Sequence, residues 1–199
     1  MATPGDRSAL HAAFHEAAHF VAHHHLLPAE APFELAISGD GTGHFAVGAA
    51  ARGLEGAGER VIAIYAGSAA DVALDPAHEE EIRARSTRDD RYAADWLDRL
   101  GEADRQAEFR ARAGALVAEH WREIEVIAAM LLEVGTLRGD VARMILALAS
   151  GSDVLAAARN LELAPDAAQA IMLAFAFRLA PGRVAEVLAR HGYQVAHEG

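Results

Sequence analysis

The sequence contains no cysteine and no lysine, and all 18 of its basic residues are arginine. Without cysteine, the chain has no disulfide, no thiolate nucleophile and no thiolate ligand for a metal. Without lysine, it has neither a P-loop lysine nor a Schiff base to a lysine amine. Histidine and carboxylate side chains must therefore supply any metal ligands. The lack of cysteine also fits a reducing compartment, and we expect a cytoplasmic protein.

Aromatic residues, positive charge and long apolar runs are also scarce. Aromatic residues make up 6% of the 199 residues and hydrophobic residues 52%, so small and aliphatic side chains must fill the core, which favours packed helices. The net charge of −11 argues against binding to nucleic-acid phosphates. No apolar run approaches the ~20 residues that span a bilayer, and residues 1–7 do not resemble a secretion signal. We therefore expect a soluble protein without a nucleic-acid partner or a membrane span.

The most informative segment reads HEAAH and spans His15–His19, within a run that has no proline or glycine between positions 8 and 27. This run predicts one helix, on which residues four apart project from nearly the same face. Two imidazoles placed in this way can bind one Zn²⁺, and Glu16 can take a proton from a water molecule that the ion activates. The sequence therefore predicts zinc bound by His15 and His19, with Glu16 as the general base.

Hydrophobic periodicity predicts the other elements. The first helix can be capped by Asp6 or Ser8 and is ended by Pro28. Alternating residues at 32–37 and 44–47 flank a glycine-rich turn and predict a β-hairpin. Further helices are expected at 59–74, 87–100, 102–134 with a break near Gly114, and 140–149, and a loop or short helix at 77–85. The predicted fold class is mainly α with a small β-hairpin or sheet, that is, α+β.

A catalytic zinc ion usually has three protein ligands, so a third ligand must be found. His25 follows His15 by ten residues, the spacing of the metzincin pattern HExxHxxGxxH. That pattern requires a glycine to turn the chain back, and the position is occupied by Ala22. On an unbroken helix, ten residues rise about 15 Å, so His25 would not reach the ion. A carboxylate further along the chain is the better candidate.

Several segments resemble the FtsH family, the membrane-bound, ATP-dependent zinc metalloproteases. The segment 14–19 is similar to the family's HEAGH segment, and 65–71 looks like its Gly-Gly-Arg-Ala-Ala-Glu segment. Residues 85–90 look like its Gly-Ala-Ser-Asn-Asp segment, whose aspartate is the third zinc ligand. Residues 119–132 and 136–141 resemble the end of the protease domain. The resemblance covers about residues 10–148 and implies a zinc metallopeptidase with the fold of that protease domain, acting on a peptide or protein.

The sequence also departs from the family. No ATPase module is expected in a chain of this length without a Walker lysine, so we expect the protease domain alone, acting without ATP. The Gly-Gly-Arg triplet is replaced by residues 66–68, Ala-Gly-Ser, and the family's glutamate by Asp71. Asp71 either orients a ligand histidine or is an ordinary polar position on a helix. The hairpin offers an edge strand along which an extended peptide can bind.

Asp89 and Asp90 compete as the third ligand. The family's Asn-Asp pair favours Asp90, because Asp89 would then stand at the asparagine. Helix periodicity favours Asp89, because the apolar positions Ala93, Trp96, Leu97 and Leu100 lie on its stripe. Asp90 can instead complete a capping interaction with Thr87 at the start of the helix. We choose Asp89 and keep Asp90 as the alternative.

Ser150 begins the best candidate for a domain boundary. Residues 1–149 would form the metallopeptidase-like domain, and 150–199 a helical extension that packs on it or mediates contacts in a homo-oligomer. The apolar segment 167–179 suits such packing better than a membrane surface. Two other functions stay open: a regulatory or catalytically idle binding protein that keeps the metallopeptidase fold, and a zinc hydrolase with a non-peptide substrate. The intact Glu16 argues against the first.

Overall fold

The computed structural model describes residues 4–30, 32–38, 40–47, 54–149 and 182–194. In these ranges the protein is mainly helical, with a small three-stranded antiparallel sheet, which confirms the predicted α+β class. The helices are α1 (Pro4–Leu26), α2 (Ala57–Leu74), α3 (Glu79–Arg85), α4 (Thr87–Leu100), α5 (Gln106–Glu119), α6 (Trp121–Val134), α7 (Gly139–Ala149) and α8 (Arg183–Arg190), and the strands are β1 (Pro32–Ile37), β2 (Gly43–Val47) and β3 (Thr136–Arg138).

Helix α1 is the central element, since α2, α6 and the sheet all pack against it. Alanines on several of its faces allow these neighbours to approach closely. The residues with no exposed surface are Ala13, Phe14, Ala17, Ala18, Phe20, Val21 and Ala22. The helix begins at Pro4, so Asp6 and Ser8 lie inside it and their predicted role as caps is wrong. Proline suits the first turn, because its φ is preset and it needs no partner for an N–H.

The sheet has the strand order β2-β1-β3, and β1 pairs antiparallel with both neighbours. Leu35 lies at its centre, fully buried and paired with Phe45 on one side and Leu137 on the other. The predicted hairpin is confirmed. Strand β3 was not predicted, because it has only three residues, of which Leu137 alone is buried. Strand β2 contacts the HEAAH segment of α1, with Gly43 against Glu16 and the Phe45 ring beside His19.

Helices α2, α4 and α5 form a second layer beside α1. Their shared core consists of Val61, Ile62, Tyr65, Ala93, Leu97, Phe109 and Ala113. Gly114 lies within α5, so the predicted break near it is wrong. The chain leaves the helix at His120, which joins α5 to α6. Aromatic contacts hold this corner: the His120 ring stacks on His25, with centroids 3.8 Å apart, and Trp121 packs against Phe14.

The last described segment, 182–194, packs against α6. Helix α8 places Val184, Val187 and Leu188 in the main core, and the Tyr193 hydroxyl donates a hydrogen bond to Glu125 Oε1 at 3.0 Å. The boundary expected at Ser150 and the apolar segment 167–179 lie outside the described residues, so the two-part organisation stays a prediction. None of the helices in the described ranges has the length and hydropathy needed to cross a bilayer.

Candidate metal centre

The side chains of His15, His19 and Asp89 meet beside the middle of α1, and we call them the central cluster. The Nε2 atoms of the two histidines lie 3.0 Å apart. Asp89 Oδ2 lies 3.0 Å from Nε2 of His15 and 3.6 Å from Nε2 of His19. Zn–N bonds of about 2.0–2.1 Å in a tetrahedral site hold ligand atoms about 3.3 Å apart. The three atoms therefore have the spacing that a small tetrahedral ion requires.

Asp89 reaches the cluster because of the phase of α4. Ala93 and Leu97, the buried residues of this helix, follow Asp89 at helical spacing and bring it to the inward side. Asp90 points elsewhere: its Oδ1 accepts a hydrogen bond from Arg110 Nη2 at 2.6 Å. The predicted capping interaction of Asp90 with Thr87 is wrong, because the N-cap position is Ser86 and no side chain caps the helix. Arg110 supplies the partner that the local sequence did not reveal.

The second ring nitrogen of each histidine has its own acceptor. His15 Nδ1–H donates to Asp71 Oδ2 at 2.7 Å, and His19 Nδ1–H donates to the backbone carbonyl of Ala63 at 2.8 Å. These bonds fix the tautomers that turn both Nε2 atoms toward Asp89, as metal-binding histidines require. Asp71 thus lies where a residue that orients His15 must lie. His11, which was not predicted, also faces Asp71, with Nδ1 3.5 Å from Oδ1.

Gly67 leaves room for the cluster. It lies within α2 and is buried, and a Cβ atom there would come within 2.5 Å of His19 Nε2 and 2.7 Å of His15 Nε2. The space beside both ligand nitrogens is therefore open only because this residue has no side chain. Glycine inside a helix costs up to ~1 kcal/mol relative to alanine, and the close approach explains why it is used. Gly67 stands in the 66–68 segment compared with Gly-Gly-Arg, but the sequence did not predict its position beside the two histidines.

Glu16 lies next to the cluster in a buried position, with 5% of its surface exposed. Gly43 of β2 packs so closely on it that a Cβ there would be 2.7 Å from Glu16 Oε1. Burial raises the pKa of Glu16, although the positive charges of His19 and His15 act in the opposite direction. A carboxylate held in this way takes up a proton more readily than one in water, which is the property that a general base needs.

Contacts of the central cluster outweigh the effect of burial on the pKa values of His15 and Asp89. Burial acts to lower the pKa of His15, but hydrogen bonds to Asp71 and Asp89 outweigh it and raise that pKa to about 10. Burial acts to raise the pKa of Asp89, but its contacts with His15 and His19 hold it far below its usual range. Asp89 is therefore an anion, and the arrangement favours a positive charge between the carboxylate and the imidazoles.

A cleft of about 920 Å³ opens over the cluster. Strand β2 forms one wall, and it lies at an edge of the described sheet. Tyr92 and Trp96 of α4 also line the cleft. His23 lines the cleft as well. It is buried one turn of α1 beyond His19, and the sequence did not predict that it would face the cleft. The volume is in the range of small-molecule and peptide subsites.

His25, the ligand of the alternative spacing, is not part of this centre. Its Nε2 instead lies 2.6 Å from Glu123 Oε2 of α6. The helix continues unbroken through Ala22 to Leu26, so the turn that the metzincin pattern requires is absent. The structure therefore agrees with the expectation that His25 does not reach the ion.

The described side chains include groups that could hold a metal ion. Two imidazoles and one carboxylate form a set of ligands that suits several divalent metals. Comparison of the sequence with models of known protein families gave no match, and the search of curated proteins also gave none.

Proposed function

We propose that this protein is a zinc-dependent metallopeptidase that hydrolyses peptide bonds without ATP. The observation that carries the proposal is the convergence of His15 Nε2, His19 Nε2 and Asp89 Oδ2 at mutual distances of 3.0 to 3.6 Å, with the carboxyl group of Glu16 beside them. A metal held only for structural stability has no use for a buried carboxyl group next to it. The position of Glu16 therefore favours a catalytic site over a catalytically idle one.

His15, His19 and Asp89 would hold the ion, and Asp71 would orient His15 through its hydrogen bond. A bound Zn²⁺ would lower the pKa of a water molecule toward about 7 and polarise the carbonyl group of the substrate. Glu16 takes the proton from the attacking water and returns it to the nitrogen of the leaving amine. Burial raises the pKa of Glu16 and so favours uptake of that proton, which suits the group to both steps.

The cleft supports an extended peptide as the substrate. The edge of β2 carries backbone groups that can pair with a peptide in strand conformation, and Gly43 of this strand packs closely on Glu16. Exposed Tyr92 and Val47 offer apolar surface near it. The resemblance of the HEAAH, 65–71 and 85–90 segments supports the finer proposal that residues 1–149 have the fold of an FtsH-type protease domain.

The test is hydrolysis of casein and of a peptide library by the purified chain, with and without a chelator, compared with Glu16→Gln. A general base contributes about 10²–10⁴-fold, so the variant should lose that factor in turnover while it keeps its zinc. Glutamine preserves the shape of the side chain, which controls for packing against Gly43. Hydrolysis by Glu16→Gln at the parent rate would disprove the mechanism. Zinc binding without hydrolysis of any peptide would favour the non-peptide hydrolase.

A further inference from the structure

We propose that the protein has a second site for a divalent transition-metal ion, formed by His25, His120 and Glu123. We call these three residues the corner cluster. They come from three places in the chain: His25 from the last turn of α1, His120 from the junction of α5 and α6, and Glu123 from the first turn of α6. One ligand atom of each residue lies within 4.8 Å of the other two.

The contacts around Glu123 point to a cation at this place. Its Oε2 is 2.6 Å from His25 Nε2 and 3.7 Å from His120 Nδ1, so the carboxylate faces a nitrogen of both rings. Arg122 precedes Glu123 in the chain, but its guanidinium pairs with Glu125 at 3.0 Å. Among the described residues, the carboxylate of Glu123 thus faces the two histidines, each of which can bind a metal ion through a ring nitrogen.

The two imidazoles are already in contact. Their rings stack with centroids 3.8 Å apart at an angle of 20°, and the side chains are between a fifth and a third exposed. Tetrahedral ligand atoms lie about 3.3 Å apart, so an ion requires only that exposed rings rotate to turn their nitrogens toward one another. Imidazole and carboxylate donors suit Zn²⁺, Ni²⁺ and Cu²⁺ better than Ca²⁺ or Mg²⁺.

A bound ion would tie the end of α1 to the corner between α5 and α6. Six residues before His25, the same helix carries His19, so the ion would fasten the helix that positions the central cluster. Exposed side chains and a water molecule can complete the coordination, and the accessible position suits a weaker, exchangeable ion. Binding to the folded chain alone stabilises it in proportion to the logarithm of the free ion concentration.

The experiment is a titration of the chelator-stripped full chain with Zn²⁺ in competition with a chromophoric chelator. Wild-type protein should take up two equivalents, one tight and one weaker. His25→Gln, His120→Gln and Glu123→Gln should each weaken the second equivalent at least tenfold and leave the first unchanged. His78→Gln is the control, because this exposed histidine pairs with Asp75 Oδ1 at 2.9 Å and lies outside both clusters; it should bind both equivalents.

Two results would overturn the proposal: wild-type protein that binds one equivalent up to the highest soluble zinc concentration, or a second equivalent that persists unchanged in all three variants. If the variants do not fold, the wild-type protein decides. Crystals loaded with zinc should show an anomalous peak between His25 and Glu123, and the absence of that peak while the central site is filled would refute the site.

Discussion

The central cluster and the corner cluster both include histidine from α1 and contain the same kinds of donor, but they differ in what holds the side chains. In the central cluster, Asp71 and the carbonyl of Ala63 fix both histidine rings from behind. Within the described residues, the only hydrogen bond of the corner histidine rings joins His25 to Glu123. A ring that is already oriented loses less freedom when it binds an ion. The central cluster should therefore bind zinc more tightly.

Exposure of the side chains differs in the same direction. In the central cluster the exposed fractions are 20%, 10% and 21%, and in the corner cluster they are 32%, 21% and 28%. A less hydrated site strengthens the attraction between a cation and a carboxylate. Residue types alone therefore do not rank the expected zinc affinities of the two clusters, whereas the partners behind the ligands do.

The largest effect is expected from removal of one central ligand. Wild-type protein should retain about one zinc per chain after dialysis, held by the central cluster, and His19→Ala should retain none, because two ligands remain and a catalytic zinc usually needs three. His25→Ala removes a ligand of the corner cluster and should retain the tight zinc. Elemental analysis after dialysis measures both. Stoichiometric zinc in His19→Ala, or its loss in His25→Ala, would reverse the ranking of the two clusters.

Gly67→Ala should have the next largest effect. The added methyl group would stand 2.5 Å from His19 Nε2, closer than atoms can approach, so the imidazoles must move from their positions near Asp89. We expect the variant to lose most of its zinc affinity in a chelator competition titration.

Gly114→Ala is the control for that variant, because a Cβ at this helical position meets no atom within 4 Å. It should keep the zinc affinity and raise the free energy of unfolding by about 0.5–1 kcal/mol. Wild-type affinity in Gly67→Ala would show that the close approach does not shape the site.

The variants Asp89→Asn and Asp90→Asn test which of the two aspartates binds zinc. Loss of the Asp89 charge should weaken zinc binding well over tenfold, because Oδ2 is the only carboxylate oxygen in the central cluster. Asp90→Asn removes the ion pair with Arg110, a partly exposed contact that is worth about 1 kcal/mol or less, and should leave zinc binding unchanged. A chelator competition titration and urea unfolding measure the two effects. The opposite order of zinc affinities would make Asp90 the ligand.

Much of the fold could be predicted from local patterns. The long helices and the hairpin follow from hydrophobic periodicity and from proline and glycine positions, and the bounds of α4 were predicted correctly. Strand β3 was missed because three residues carry too little periodicity, and its pairing with β1 joins residues about a hundred positions apart. The helix breaks at His120, where rings from distant parts of the chain meet. The predicted break rested only on the local presence of Gly114.

The central cluster was also predictable only in part from local sequence patterns. The spacing of His15 and His19 is local and sufficed to place them together, and helix phase sufficed to place Asp89 on the inward face. The partner of Asp90 could not be predicted, because Arg110 is on another helix. Nor did the sequence show that Glu123 would lie against His25, since 98 positions separate them. Contacts between helices were beyond the reach of local patterns, and they decide which polar groups meet.

The smallest of these effects is expected from Asp71→Asn, which removes a charged partner behind a ligand without touching the ligand atoms. Asparagine can still accept a hydrogen bond from His15 Nδ1–H, but the ring becomes less basic and less firmly oriented. Loss of such a partner typically costs about 10–100-fold in metal affinity, and we expect a value toward the lower end. Asp75→Asn is the matched control, because Asp75 pairs with exposed His78 at 2.9 Å, away from the cluster, and should leave zinc affinity unchanged. If the hydrogen bonds that hold the central histidines cause the difference in zinc affinity between the two clusters, Asp71→Asn should bring the affinity of the tight zinc equivalent closer to that of the weak one. The competition titration measures both affinities. An unchanged gap would mean that exposure, and not the hydrogen bond to Asp71, sets the ranking.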